Sequence, residues 1–114
     1  MTLDVFDICG RRALVTGSTR GIGRALARGL VEAGCTVVMH GRDPRRVERV
    51  ATELTATAPG RDAAVHHVAF DVTDAGAVAA GVAAAEAAAG PLDILVNNAG
   101  MQHRAPLLEV ADEA

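Results

Sequence analysis

Residues 16–23 read Thr-Gly-Ser-Thr-Arg-Gly-Ile-Gly and separate a predicted strand from a predicted helix. The run Arg12–Val15 before them is short and apolar, which is typical of a buried parallel strand. After them, apolar residues recur at helical spacing, and Arg24 and Arg28 fall outside that stripe. The stripe consists of Ile22, Leu26, Leu30 and Val31. A glycine-rich turn between a strand and a helix therefore constrains this chain more than any other feature.

The three glycines of this segment suit a phosphate site. Gly17 can adopt a tight turn, whereas Gly21 and Gly23 allow a ligand or a strand to approach the backbone closely. The helix that follows offers unpaired N–H groups and a partial positive charge to an anion. We interpret the turn as a site for a dinucleotide pyrophosphate. By themselves, three glycines are equally compatible with an ordinary strand-to-helix turn.

Two further motifs follow later apolar runs. Asp71-Val72-Thr73-Asp74 comes after the third run, and Asn97-Asn98-Ala99-Gly100 comes after the fourth. With the glycine segment, they resemble the short-chain dehydrogenase/reductase family, whose signature is Thr-Gly-x-x-x-Gly-x-Gly, then Asp, then Asn-Asn-Ala-Gly. The resemblance extends from about Phe6 to Leu108 and implies an oxidoreductase that uses a nicotinamide dinucleotide.

The resemblance also implies roles for individual residues. Asp71 is expected to receive the adenine amino group and Val72 to contact the ring, although Asp71 could instead cap its own turn. Asn97 is expected to tie the fourth strand to its neighbours, and the residues after it let the ribose and nicotinamide lie close. The complete set of expected cofactor contacts is Gly17, Ser18, Thr19, Arg20, Gly21, Ile22, Gly23, Arg42, Asp71, Val72, Asn98, Ala99 and Gly100.

The end of the second strand discriminates between the two nicotinamide cofactors. An acidic residue there accepts hydrogen bonds from the adenosine ribose in NAD enzymes. Here no carboxylate stands at the tip of the strand, Arg42 follows it, and Arg20 is a second nearby cation. Guanidinium groups match phosphate geometry, so we predict NADP(H) rather than NAD(H). The alternative for Arg42 is a solvated loop arginine, and Asp43 is interpreted as a helix cap because Pro44 follows it.

Strands and helices alternate along the sequence. We predict an α/β fold with a doubly wound parallel sheet, the N-terminal portion of a Rossmann fold with strand order 3-2-1-4. The second helix begins at the Asp43 cap and ends near Thr57, and the third is capped by Thr73 or Asp74 and ends at Ala89. The predicted strands are Arg12–Thr16, Thr36–His40, Ala64–Phe70 and Asp93–Val96, and the first helix is Gly21–Ala33, ended by Gly34.

Tyrosine and lysine do not occur in this sequence, and all 11 basic residues are arginine. In the family that the chain resembles, a Ser and a Tyr-x-x-x-Lys pair after the fourth strand carry the chemistry. The resemblance therefore implies that residues 1–114 are an NADP(H)-binding half-domain, truncated before these groups. We assign no catalytic residue and expect the 114-residue chain alone to be inactive, because losing a general acid/base costs roughly 100- to 10,000-fold in rate.

The residues after Gly100 bear on the substrate. With Phe6-Asp7 and His40–Asp43, Met101–Leu108 resembles the gluconate 5-dehydrogenase branch, which interconverts D-gluconate and 5-keto-D-gluconate. Arg104 is positioned to bind the carboxylate of a sugar acid, and Gln102 could bind its hydroxyls. The alternative for Arg104 is a surface loop arginine. Two other functions stay open, a 3-oxoacyl-carrier-protein reductase and a non-catalytic dinucleotide-binding fragment.

Composition excludes several classes of partner. The net charge is −3 with no basic tract, which argues against nucleic acid, and no apolar run approaches the ~18 residues of a membrane span. The first ten residues lack the pattern of a secretory signal, so we expect a cytoplasmic protein. Cys9 and Cys35 have no metal or redox spacing and are expected to be buried, and no metal site is predicted. For the parent enzyme the resemblance implies a small-molecule substrate and a dimer or tetramer.

Overall fold

A computed structural model of the chain describes residues 8–58 and 64–98. Four parallel strands form one sheet in the order β3-β2-β1-β4, which confirms the predicted Rossmann-like topology. The elements, in chain order, are β1 (Arg12–Val15), α1 (Gly21–Glu32), β2 (Thr36–Gly41), α2 (Pro44–Thr55), β3 (Val65–Ala69), α3 (Ala75–Ala89) and β4 (Ile94–Val96). Each boundary lies within about two residues of its predicted position.

The two central strands are buried on both faces. Val15 of β1 and Met39 of β2 pack into a core with α1 and α2, whereas their neighbours Leu14 and Val38 pack with Ala85 of α3. Successive side chains of a strand point to opposite faces, so helices cover both sides of the sheet. This is the doubly wound arrangement, and it directs the carboxyl ends of all four strands to one edge.

The helices α2 and α3 begin with aspartate caps. The Asp43 carboxylate accepts a hydrogen bond from the Arg45 N–H at 3.0 Å, which confirms Asp43 as a cap. The Asp74 carboxylate accepts one from the Ala77 N–H at 3.1 Å, which selects Asp74 over Thr73. Helix α1 differs, because Arg20 at its N-cap makes no side-chain capping bond.

The C-terminal end of α1 follows the prediction. Gly34 has a φ of +94°, in the left-handed region that favours glycine. The Gly34 N–H donates to the Val31 carbonyl and the Cys35 N–H donates to the Leu30 carbonyl, both at 3.0 Å. These two bonds form a Schellman motif, which turns the chain directly into β2.

The C-terminal half of α1 follows the predicted apolar stripe, because Val31 is buried and Leu30 packs against the core, but the N-terminal half differs from it. Gly23, Ala27 and Val31 face the sheet, whereas Ile22 is 65% exposed and Leu26 is 42% exposed. The reason is the distance between the helix and the sheet. The start of α1 approaches the turn after β1 so closely that only its smallest residues fit between them.

Helix α3 shows the same preference for small residues. Hydrophobic periodicity predicts a buried face marked by Val78 and Val82, but both are only half-buried, and Gly81 and Ala85 are the buried residues. A Cβ atom added at Gly81 would lie 2.2 Å from Cδ2 of Phe70. Contact with the Phe70 ring therefore determines which side of α3 faces the sheet.

The described ranges contain neither a helix long and apolar enough to cross a membrane nor a group of three metal-ligating side chains. Of the two cysteines, Cys35 is buried as expected, but Cys9 is exposed. Burial raises the pKa of the Cys35 thiol, and the neighbouring Cys9 and Asp93 raise it further. The thiol of Cys35 is thus protonated and packs as a small apolar side chain.

Two glycines of α3 give a matched pair of stability predictions. Gly81→Ala should lower the free energy of unfolding by about 1–3 kcal/mol, because the added methyl group overlaps the Phe70 ring. Gly76→Ala should raise it by up to about 1 kcal/mol, because an added Cβ there meets only Asp74 Oδ1 at 3.5 Å and alanine favours the helix. Urea unfolding of both variants measures the difference. Equal effects at the two positions would contradict the packing described here.

Candidate dinucleotide site

An open cleft of about 360 Å³ lies at the carboxyl ends of β1, β2 and β3. The order of strands reverses between β1 and β4, the place where open α/β sheets bind ligands, and this cleft adjoins that point on the β2 side. The cleft is lined by Gly17, Thr19, Arg20, His40, Gly41, Arg42, Asp43, Arg46, Asp71, Val72 and Thr73.

The backbone of Gly17 is held from two sides. Its N–H donates to Nδ1 of His40 at 2.9 Å, and its carbonyl accepts a hydrogen bond from Nδ2 of Asn98 at 3.0 Å. Gly17 has a φ of +59°, as the predicted tight turn requires. Side chains from the ends of β2 and β4 therefore fix the direction of the turn after β1.

The tie between β4 and this turn comes mainly from Asn98. Besides its bond to Gly17, the Asn98 N–H donates to the Thr16 hydroxyl at 3.0 Å, and its side chain is buried. Asn97, to which the tie was assigned, is exposed, although its Oδ1 accepts a 3.2 Å bond from the Thr16 hydroxyl. Contact of Asn98 with a cofactor stays a prediction.

Ser18 and His40 form a second tie between the turn and β2. The Ser18 N–H donates to the His40 carbonyl at 2.9 Å, and the His40 N–H donates to the Ser18 hydroxyl at 2.8 Å. Ser18 is fully buried, so the structure gives it a role in holding the turn and does not place it in the cleft lining. His40 was not among the expected site residues. The only available signal for His40 was its position at the end of β2, which the predicted strand order places next to the glycine segment that follows β1.

The other two glycines of the segment act differently from each other. A Cβ at Gly23 would lie 2.2 Å from the Gly17 carbonyl oxygen and 2.5 Å from Nδ2 of Asn98, so Gly23 is needed for close packing. At Gly21 an added Cβ would meet nothing within 4 Å, but φ is +60°. Gly21 thus supplies a left-handed backbone on an open surface, as expected where a ligand approaches.

The N-terminus of α1 has the features of an anion site. It lacks a side-chain cap, and its first turn contains no acidic residue. The first N–H groups of a helix have no partner within the helix and carry partial positive charge. In α2 and α3 an aspartate satisfies one of these groups. In α1 they stay available, and the arrangement fits a bound phosphate.

Asp71 caps its own turn, as the alternative to an adenine contact predicted. Its Oδ1 accepts bonds from the Thr73 N–H at 2.9 Å and the Thr73 hydroxyl at 2.7 Å, while Oδ2 lies 3.7 Å from Nη2 of Arg42. The Thr73 hydroxyl and N–H lower the pKa of Asp71, and Arg42 contributes less. The carboxylate is therefore charged at neutral pH. Its contact with adenine stays a prediction, as does that of Val72, which lies in the cleft lining.

Three guanidinium groups line the cleft. Arg20 and Arg42 were expected there, and Arg46 in the first turn of α2 joins them. The sequence signal for Arg46 was available, since Pro44 at the start of α2 fixes that turn next to the end of β2. No carboxylate ends β2, because the strand closes with Gly41 and Asp43 caps α2. The cleft thus combines three arginines with Asp43 and Asp71, and no carboxylate lies at the tip of β2.

The remaining expected contacts are divided between two places. Ser18, Gly21, Ile22, Gly23 and Asn98 adjoin the cleft through the turn but do not line it. The other four expected residues lie outside the described residues, and they are Ala99, Gly100, Gln102 and Arg104.

Comparison with known proteins gives one family. The short chain dehydrogenase profile matches residues 11–114. A gluconate 5-dehydrogenase of Gluconobacter oxydans is 49% identical over 106 residues, which are 93% of this chain and 40% of that protein. The 5-keto-D-gluconate 5-reductase of Escherichia coli is 36% identical over 96% of this chain and 42% of its own length. The chain thus spans about two fifths of these relatives.

Solved structures agree with this comparison. A gluconate 5-dehydrogenase of Burkholderia cenocepacia in complex with NADP and tartrate is 46% identical, with a TM-score of 0.77 over 91% of this chain and 39% of that one. A metagenomic short-chain oxidoreductase in complex with NADP is 39% identical, with a TM-score of 0.71 over 81% of this chain and 40% of that one. The chain belongs to the short-chain dehydrogenase/reductase family of oxidoreductases.

Proposed function

We propose that this chain is the NADP(H)-binding part of an oxidoreductase that interconverts a hydroxyl and a keto group of a sugar acid, gluconate and 5-ketogluconate being the candidate pair. The observation that carries the cofactor proposal is the cleft lining, which contains Arg20, Arg42 and Arg46 at the end of a strand without a terminal carboxylate. When bound, the cofactor would supply the hydride as NADPH in the reducing direction and accept it as NADP⁺ in the oxidising direction. The residues described here hold the dinucleotide and orient it.

The three arginines are the proposed ligands of the adenosine 2′-phosphate. The Arg42 side chain is 79% exposed, and its pair with Asp71 is long at 3.7 Å. An exposed pair of this kind contributes little stability, so Arg42 can exchange Asp71 for a phosphate at small cost. The pyrophosphate is proposed to lie at the uncapped start of α1, next to the Gly17 turn.

The sugar-acid proposal is supported by the relatives and by the sequence. The Gluconobacter oxydans and Escherichia coli relatives are named for gluconate and 5-keto-D-gluconate, and the Burkholderia cenocepacia structure holds tartrate, a hydroxy acid. Arg104 and Gln102 stay the proposed substrate contacts. Because the sequence has no tyrosine or lysine, we propose that these 114 residues bind the cofactor without turning over substrate. A dimer or tetramer is likewise proposed for the parent enzyme.

Cofactor selectivity gives the first test. In the longer parent enzyme, Arg42→Ala should weaken NADPH binding roughly 10-fold. This is the low end of the range for a charged hydrogen bond, because the Arg42 side chain is exposed. Arg46→Ala should weaken NADPH binding less. The affinity for NADH should stay within about two-fold in both variants, since NADH lacks the 2′-phosphate. Fluorescence titration with each cofactor measures this. Arg45→Ala is the matched control, because Arg45 neighbours Arg46 on α2 but does not line the cleft. Equal losses for NADPH and NADH would contradict the proposed phosphate site.

Substrate class gives the second test. The longer parent enzyme should oxidise D-gluconate with NADP⁺ and reduce 5-keto-D-gluconate with NADPH, and the absorbance of the reduced nicotinamide follows both reactions. A 3-oxoacyl thioester tests the competing reductase function in the same assay. Faster turnover of the thioester than of either sugar acid would reverse the assignment. Cofactor binding without turnover of any of the three would favour a binding role.

A further inference from the structure

His40 makes one hydrogen bond with each ring nitrogen. Nδ1 lies 2.9 Å from the Gly17 backbone nitrogen, and Nε2 lies 2.9 Å from the Phe70 carbonyl oxygen. A backbone N–H can only donate and a carbonyl can only accept. Nδ1 must therefore be unprotonated and Nε2 must carry the hydrogen. The surroundings of the ring select the neutral Nε2–H tautomer, and the protonated imidazolium cannot satisfy both partners.

These two bonds connect the glycine turn after β1 to the end of β3. Gly17 opens the glycine turn, and Phe70 immediately precedes Asp71 at the end of β3. The imidazole also packs against the Phe70 ring, with the centroids 4.2 Å apart, and His40 is only 2% exposed. One buried side chain thus joins the pyrophosphate wall of the proposed site to its adenosine wall.

We propose that His40 is a positioning residue for the dinucleotide: in its neutral form it holds the Gly17 peptide in the binding orientation, and its protonation releases that peptide and weakens cofactor binding. This inference rests on the proposed function. Protonation would set an N–H of the ring against the Gly17 N–H, so the turn or the ring has to move. The N–H groups at the start of α1 belong to the same turn and would move with it.

The environment of His40 sets the direction of the pH dependence. Burial lowers its pKa below the ordinary value of 6.5, and the bond to the Phe70 carbonyl opposes this. On β3, His66 pairs with Val38 of β2 and therefore lies on the same face of the sheet as His40. The charged side chains that share the cleft with His40 come from the turn, α2 and the end of β3, and they are Arg20, Arg42, Asp43, Arg46 and Asp71. His40 is therefore neutral at pH 7 and gains a proton only as the pH falls below that value.

The test compares NADP⁺ binding by three forms of the intact protein between about pH 8 and about pH 5.5, the range in which a histidine titrates. In His40→Asn, the amide oxygen can replace Nδ1 as acceptor for the Gly17 N–H, and it does not titrate. In His40→Leu, the acceptor is lost. Isothermal titration calorimetry gives the affinities. The 2′-phosphate itself titrates near pH 6, but it does so in every variant, so the ratio of affinities isolates His40.

Wild-type affinity relative to His40→Asn should be constant above pH 7 and fall by roughly two- to five-fold at about pH 5.5, because the lowered pKa leaves part of the His40 population neutral there. His40→Leu should bind about ten-fold more weakly than His40→Asn at every pH. Parallel pH profiles for wild type and His40→Asn would overturn the inference while leaving the proposed function intact. A relative gain of wild-type affinity in acid would also overturn it, since attraction between imidazolium and pyrophosphate would then dominate. Absence of NADP⁺ binding by the wild type would overturn the inference and the cofactor proposal together.

A second readout does not depend on ligand or on the leucine variant. In ¹⁵N-labelled wild-type protein, the His40 ring should show the Nε2–H tautomer at neutral pH, and the Gly17 amide resonance should titrate together with the ring. A Gly17 resonance that stays constant while the ring titrates would show that protonation does not reach the turn, which would contradict the proposal.

Discussion

Two hydrogen bonds to one glycine organise the carboxyl edge of this sheet. The Gly17 N–H is bound by His40 at the end of β2, and the Gly17 carbonyl is bound by Asn98 beyond the end of β4. Neither bond belongs to the hydrogen-bond ladder of a strand pair. Together they link the carboxyl ends of β1, β2 and β4, next to the point where the order of strands reverses. The course of the chain into α1, and hence the position of every N–H group at the start of that helix, depends on them.

The close approach of α1 follows from the same constraint. Gly23 lies against the Gly17 carbonyl and the Asn98 amide with no space for a side chain. The helix is therefore oriented by contact between backbones, and its larger apolar residues Ile22 and Leu26 are left at the surface. Two related structures with bound NADP share the fold over 81% and 91% of this chain.

The sequence predicted the elements well because local signals were strong. Asp43-Pro44 marks the start of α2, Gly34 ends α1, and four apolar runs alternate with helices, which predicts a parallel sheet; the strand order was predicted from the Rossmann fold. The buried faces of α1 and α3 were predicted less well, because hydrophobic periodicity favours large residues, whereas packing distance here selects Gly23 and Gly81.

The site was predicted in part for a related reason. Glycines, arginines and Asp71 have a recognisable chemistry at recognisable positions, and the structure brings Gly17, Arg20, Arg42 and Asp71 to one cleft. The role of His40 depends on the juxtaposition of β1, β2 and β3, which no local pattern encodes. The same holds for Asn98, since only the three-dimensional arrangement shows that it, more than Asn97, reaches the glycine turn.

The contact between Thr19 and Gly41 links two positions that are far apart in sequence. A Cβ atom at residue 41 would lie 2.7 Å from the Thr19 methyl group, so the threonine occupies the space that any longer side chain at the tip of β2 would need. An acidic residue introduced at position 41 would consequently require the Thr19 methyl group to move or a smaller residue at position 19. Positions 19 and 41 are thereby coupled, so the effect of a substitution at one of them depends on the residue at the other.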